Sequence, residues 1–226
     1  MAEPAATVIE PASGNRRTRG RRGPETRDAI HAAAVDLFAR LGYNATSMRA
    51  IAAAAEIQPA AIYHWYPSKE AILVDLQDEF MERLTDKVVA AMAGYDSPAL
   101  KLAAAVREHV VFHGLHTREA FVTDSEIRAL TDAPRRALIA QRDTYQEMFR
   151  ELIEGGIRDG SLRTSDGRVA TYAILLQCTG VALWFDPAGP LELNRVADLH
   201  VELVLGSLGA TAELIAEAIA EGSSDG

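Results

Sequence analysis

The segment TSMRAIAAAAEIQPAAIYHWYPSKE, residues 46–70, constrains this chain more than any other. Met48, Ile51, Ala52 and Ala55 recur at helical spacing, so a short helix with one apolar stripe starts there. Thr46 and Ser47 offer hydroxyls to the free N–H groups of its first turn. After a turn of three or four residues, Pro59 can open a second helix, because the first helical position needs no N–H. Ile62 and Tyr66 then return to the buried side, and Trp65 beside them reads as core too. Two helices of about two turns joined by a tight turn form a helix-turn-helix. The second helix of such a pair fits the DNA major groove.

A net charge of −9 suits a polyanionic partner only if the charge is unevenly spread. Residues 1–70 carry nine Lys and Arg against seven Asp and Glu, giving +2; residues 71–226 carry 14 against 25, giving −11. Arg16, Arg17, Arg19, Arg21 and Arg22 place five cations within seven residues. At physiological salt the screening length is about 8 Å, so DNA responds to this local patch and not to a distant acidic body. Residues 1–23 lack apolar periodicity and read as a disordered basic arm.

The remaining pattern is all-α. A first helix runs from about Pro24 to Leu41, with Gly42 as its stop. After the short pair, which completes a DNA-binding domain of residues 24–70, a long helix starts at Pro67-Ser68 and ends near Gly94. Further helices are expected at 98–116, 118–130, 132–159, 167–185 and 193–208, with breaks at Gly155-Gly156 or Gly160 and at Asp186 to Pro190. Residues 71–221 form the second domain, and 222–226 a frayed tail. One cysteine, Cys178, excludes an intrachain disulfide and suits a cytoplasmic protein. The longest uncharged apolar stretch, 169–185, is shorter than the ~20 residues of a membrane span. Apolar residues surround this helix, as in a helix buried on every side.

The residues Leu37-Phe38, Gly42-Tyr43, Thr46, Ile51-Ala52, Ile57, Ile62-Tyr63, Tyr66, Ser68-Lys69-Glu70 and Leu73 resemble the N-terminal domain of the TetR family of bacterial transcriptional regulators. The match runs from Arg27 to about Leu73. It departs from the family at Glu56, a turn position commonly occupied by Gly. The segments REAFVTDSEIRAL and LIEGGIRDGSLR also resemble ligand domains that sense acyl-CoA or other lipid-derived molecules. The resemblance implies double-stranded DNA as partner, a homodimer paired through helices 167–185 and 193–208, and a hydrophobic small-molecule effector. Against the dimer stands a monomeric core.

For DNA contact, Ala60 and Ala61 allow close backbone approach, and Tyr63, His64 and Arg49 can reach bases or phosphates. By resemblance, Tyr63, Lys69 and Thr46 meet phosphate. Ser47 and Arg27 join this set, and Arg19, Arg21 and Arg22 suit the adjacent minor groove. For the effector, the expected lining is Phe80, Leu84, Phe112, Met148, Phe149, Tyr172, Leu176 and Trp184, with His113, Tyr145 and Gln177 as polar groups.

Two other functions are weighed. His109, His113 and His116 suggest a helical metal-dependent enzyme, but no HExxH, phosphate loop or nucleophile elbow accompanies them. No catalytic residue, metal or cofactor is assigned. An effector-independent DNA-binding protein is the other alternative.

Overall fold

The computed structural model describes residues 23–222, and all regular structure among them is helical. Helix α1, Gly23–Leu41, buries Ile30, Ala34, Leu37 and Phe38. Gly42 ends it at φ +82°, where a side chain would be strained. Helix α2, Met48–Ala54, is capped by Ser47, whose hydroxyl accepts the Ala50 N–H. The partner element is shorter than its sequence suggests. It is a four-residue 3-10 helix, Ala61–His64, not two turns of α-helix. Pro59 and Pro67 bracket it, and each disfavours helical backbone at the residue before it. Ile51 and Ile62 are fully buried, in the same core as Phe38.

That helix, α3 (Lys69–Met92), is capped by Ser68 and buries Ile72, Leu73, Leu76, Phe80, Leu84 and Val88 along one stripe. At 1.5 Å per residue it is a rod of about 36 Å, shared by the N-terminal head and the body. Helix α4, Pro98–Leu115, is the body's centre and packs against α3, α6, α7 and α9. Helix α5, Thr117–Ser125, runs into a 3-10 turn at Glu126–Ala129, so the expected helix 118–130 is divided. Helix α6 spans Asp132–Asp159 and stops at Gly160, φ +83°. Gly155 and Gly156 do not interrupt it. They let neighbours approach: a Cβ on Gly156 would lie 2.5 Å from Leu162, and one on Gly155 3.0 Å from Pro98.

The expected helix 167–185 is likewise divided at Gly180, into α7 (Gly167–Thr179) and α8 (Val181–Trp184). Helix α9 is Leu193–Ser207. A last helix, α10 (Ala212–Gly222), falls where no helix was expected, and Gly222 belongs to it. Leu214, Ile215, Ala218 and Ile219 carry its apolar face, which packs on α9 and α4. No helix among the described residues is long and apolar enough to cross a membrane.

Glu56 sits at φ +57°, the one left-handed residue other than glycine among the described residues. That backbone costs an ordinary residue roughly 1 kcal/mol. Glu56→Gly is therefore expected to raise unfolding free energy by up to about 1 kcal/mol, read from urea midpoints. A lower midpoint would show that Glu56 contributes more than its strain.

Candidate nucleic-acid interface and ligand cavity

The head presents Arg49, Ala60, Tyr63 and His64 to solvent, with Tyr63 55% exposed. Trp65, expected in the core, is 40% exposed beside them, whereas Tyr66 is buried. Ala61 is half-buried, and Ser47 is exposed with its hydroxyl spent on capping α2.

Three expected contact residues do different work. Thr46 is buried, and its hydroxyl donates to the carbonyls of Gly42 at 2.9 Å and Leu37 at 3.3 Å. It closes the α1–α2 turn. The Lys69 ammonium donates to Tyr43 O at 2.5 Å and Thr46 O at 2.8 Å, and stands 4.0 Å over the Tyr43 ring. Burial lowers its pKa. It therefore pins the same turn from below. Arg27 is committed to two carboxylates, Asp75 at 3.0 Å and Glu79 at 2.9 Å. Arg19, Arg21 and Arg22, with the rest of the arm, lie outside the described residues.

Asp75 on α3 gathers the head onto the rod. It accepts from Arg27 Nε and Nη2, from the Tyr66 hydroxyl, and from His31 Nε2 at 2.9 Å. The other His31 nitrogen, Nδ1, lies 3.2 Å from Glu79. Burial pushes the Asp75 carboxyl up, but the Arg27, Tyr66 and His31 bonds outweigh it and hold it below the usual carboxylate range.

One turn further along α3 a cavity of about 580 Å³ opens, within the range of small-molecule sites. Phe80, Met81 and Leu84 of α3 line it, together with Leu175, Leu176, Ala182 and Leu183 of α7 and α8. Its polar groups are His109 and His113 of α4, Asp124 and Ser125 of α5, Arg142, Tyr145 and Gln146 of α6, and Thr179. Of the eleven residues expected here, Phe80, Leu84, His113, Tyr145 and Leu176 line it. Phe112 and Phe149 are fully packed core, and Met148 packs against that core. Tyr172, Gln177 and Trp184 project from the outer face of α7 and α8. Phe121, Arg142 and Thr179 were not anticipated. Their neighbours in sequence give no periodic signal of a hollow.

The histidines are committed within this framework. His109 Nδ1 meets the Tyr145 hydroxyl at 2.8 Å, and Nε2 meets Thr179 Oγ1 at 3.0 Å. His113 stacks on His109 at 4.1 Å and donates from Nδ1 to the His109 carbonyl. His116 turns away to Arg83 and Glu119. Among the described residues no three His, Cys, Asp or Glu are grouped to hold a metal. Cys178 is buried, which pushes its thiol up to about 12.

Cavity and head are joined twice. Asp75 and Phe80 lie on one rigid helix, about 7.5 Å apart along its axis. Ser125 on the cavity wall precedes Glu126, whose carboxylate accepts the Tyr43 N–H at 3.2 Å, at the turn that Lys69 pins. The outer face of α7, α8 and α9 is apolar and open, with Val169, Tyr172, Leu176, Leu183, Trp184 and Leu203 all more than half exposed.

Comparison with known proteins agrees with this architecture. Residues 30–76 match the family described as bacterial regulatory proteins, tetR family, and residues 95–208 match the tetracyclin repressor-like C-terminal domain. The chain is 29% identical over 180 residues to the HTH-type transcriptional repressor KstR2 of Rhodococcus jostii, covering 78% of this chain and 88% of that protein. A tetR-family regulatory protein from Rhodococcus RHA1 superposes with a TM-score of 0.78 at 28% identity, over 82% of this chain and 98% of that one. AibR, solved in complex with isovaleryl coenzyme A and operator DNA, superposes at 0.73 and 26% identity, over 79% and 97% of the two chains.

Burial drives His109 and His113 below the ordinary histidine range. The native state then refuses protons that the unfolded chain accepts below about pH 6.5, so stability falls with pH there. His113→Phe removes one such site, and its stability should decline less steeply. Parallel urea midpoints for wild type and variant between pH 7.5 and 5.5 would contradict this.

Proposed function

The chain belongs to the TetR family of bacterial regulatory proteins, and from that premise we propose a homodimeric repressor that an apolar small molecule releases from a near-palindromic operator. It is a DNA-binding transcriptional regulator, not an enzyme. The observation that carries the ligand-responsive reading is the sharing of α3. The helix that holds the head through Lys69 and Asp75 also walls the cavity through Phe80, Met81 and Leu84.

Tyr63 contacts the DNA backbone, and Arg49 and His64 reach base edges from the same open face. The arginines at 19, 21 and 22 follow the minor groove, which attracts such side chains. Two heads on one face of DNA must stand about 34–36 Å apart, or a multiple of that. The apolar face of α7 to α9 pairs two copies. Leu176 and Leu183 belong both to this face and to the cavity wall, so pairing covers the cavity's open side and couples effector to head spacing.

An effector that binds the DNA-incompetent spacing more tightly weakens operator binding about tenfold per 1.4 kcal/mol of preference. The isovaleryl coenzyme A held by AibR and the apolar walls here favour an acyl-CoA or another lipid-derived ligand. Such a protein acts in the cytoplasm.

The test is a thermal-shift screen of fatty acids, acyl-CoAs and aromatic compounds on the full chain, followed by gel-shift titration on its promoter region. An effector raises the melting temperature and releases the DNA. A protein whose DNA binding ignores every stabilising compound is an effector-independent binder instead.

Tyr63→Ala should weaken binding to all sequences alike, whereas Arg49→Ala and His64→Ala should alter the selected site. Unchanged site preference in both variants would refute their assignment to bases. Leu176→Glu with Leu203→Glu should yield monomers by sedimentation and lose operator affinity at least about a hundredfold, since a single head contacts one half-site. Retained dimerisation would place the pairing surface elsewhere.

A further inference from the structure

The inner wall of the cavity has a hydrogen-bond pattern that a purely apolar ligand leaves unmet. His113 is 3% exposed. Its Nδ1 lies 2.9 Å from the His109 carbonyl, which can only accept, so Nδ1 carries the hydrogen. In the neutral ring Nε2 is then an acceptor, with no hydrogen bond to it among the described residues, and it stays within reach of solvent at the cavity wall. Burial favours that neutral form. Phe80 and Phe112 pack edge-on against the ring, and stacked His109 covers one face.

Beside it, Tyr145, His109 and Thr179 form a chain of two hydrogen bonds. Burial keeps His109 neutral, so these three groups hold three polar hydrogens for two bonds. One is left over. It lies on Thr179 if Tyr145 donates to His109, and on Tyr145 if His109 donates to it. Both residues line the cavity. This part of the wall therefore offers one acceptor and one spare donor without a protein partner, on or next to two imidazoles stacked 4.1 Å apart, and Arg142 Nε, elsewhere in the lining, is a further buried donor without one.

We propose that the effector bears a hydroxyl group on its apolar body, held between His113 Nε2 and the Tyr145–His109–Thr179 chain. This rests on the effector reading above and specifies the ligand it requires. A hydroxyl both gives and takes a hydrogen bond at one atom. A ketone or ester carbonyl only takes, and leaves His113 bare. A hydrocarbon leaves both groups bare and displaces any water that served them. A carboxylate sets negative charge against a lone pair and beside Asp124, which already holds Arg142 Nη2 at 3.0 Å, so that only the buried Arg142 Nε is left to meet it. Sites built around a hydroxyl reject analogues that lack one far more strongly than apolar pockets reject a change of size.

The test uses matched probes of one carbon skeleton, cyclododecanol and cyclododecanone, titrated calorimetrically into the full-length protein. The alcohol should bind at least about tenfold more tightly than the ketone, and the His113 Nε2 nitrogen resonance should move with the alcohol and not with the ketone. In His113→Phe the two affinities should converge to within about twofold. Equal binding to wild type, or a preference for the ketone, overturns the hydroxyl assignment and leaves the effector reading standing; this comparison needs no variant. If neither probe binds and no compound in the wider screen releases DNA, the effector reading falls and takes this inference with it.

Discussion

The carboxylate of Asp75 is the joint between the two halves of the molecule. It lies on the long α3 helix, yet its partners Arg27, His31 and Tyr66 all belong to the head. Charge-assisted bonds of this kind are short and directional, and several converging on one carboxylate leave the head little freedom to pivot. Because α3 is one hydrogen-bonded rod, whatever shifts its middle at Phe80 and Leu84 also shifts Asp75. The second tie, from Glu126 to the Tyr43 N–H, makes the cavity's far wall part of the same linkage. The head is thus oriented by polar contacts to elements whose apolar sides face a hollow.

The apolar surface is distributed to match. Interior stripes of α3, α4 and α6 fill the body, while Leu176, Leu183 and Leu203 stay open. An exposed patch of large aliphatic side chains normally marks a binding surface. Here it adjoins the cavity, and Leu176 and Leu183 belong to both surfaces. Charge is divided as well. The acidic excess lies beyond residue 70 and the arginine run precedes residue 23, which keeps attraction to DNA local under physiological screening.

Much of this was legible before the structure. Helix starts at Ser47 and Ser68 and stops at Gly42 and Gly160 follow from local hydrogen bonding and backbone sterics. The left-handed turn at Glu56 was implied by a resemblance that places Gly there. Other features were visible and passed over. Leu214, Ile215, Ala218 and Ile219 have helical spacing, and α10 forms on them. Gly155 and Gly156 look like a break but lie within α6, because Pro98 and Leu162 pack where side chains would be. Periodicity also cannot separate filled core from hollow. Phe149 and Tyr145 lie one turn apart on the same helix, and only Tyr145 borders the cavity.

The order of residues along the chain determined the helices, their caps, the helix-turn-helix and the family, because each rests on interactions within a few positions. The tertiary structure decided which polar side chains remain available. Thr46, Lys69 and Arg27 have the chemistry of phosphate ligands, but carbonyls and carboxylates from 4 to 52 residues away claim them first. His113 presents a free acceptor to the cavity only because its own helix takes one nitrogen and no protein group reaches the other. A side chain's chemistry is local, whereas its unsatisfied bonds depend on every element that folds against it.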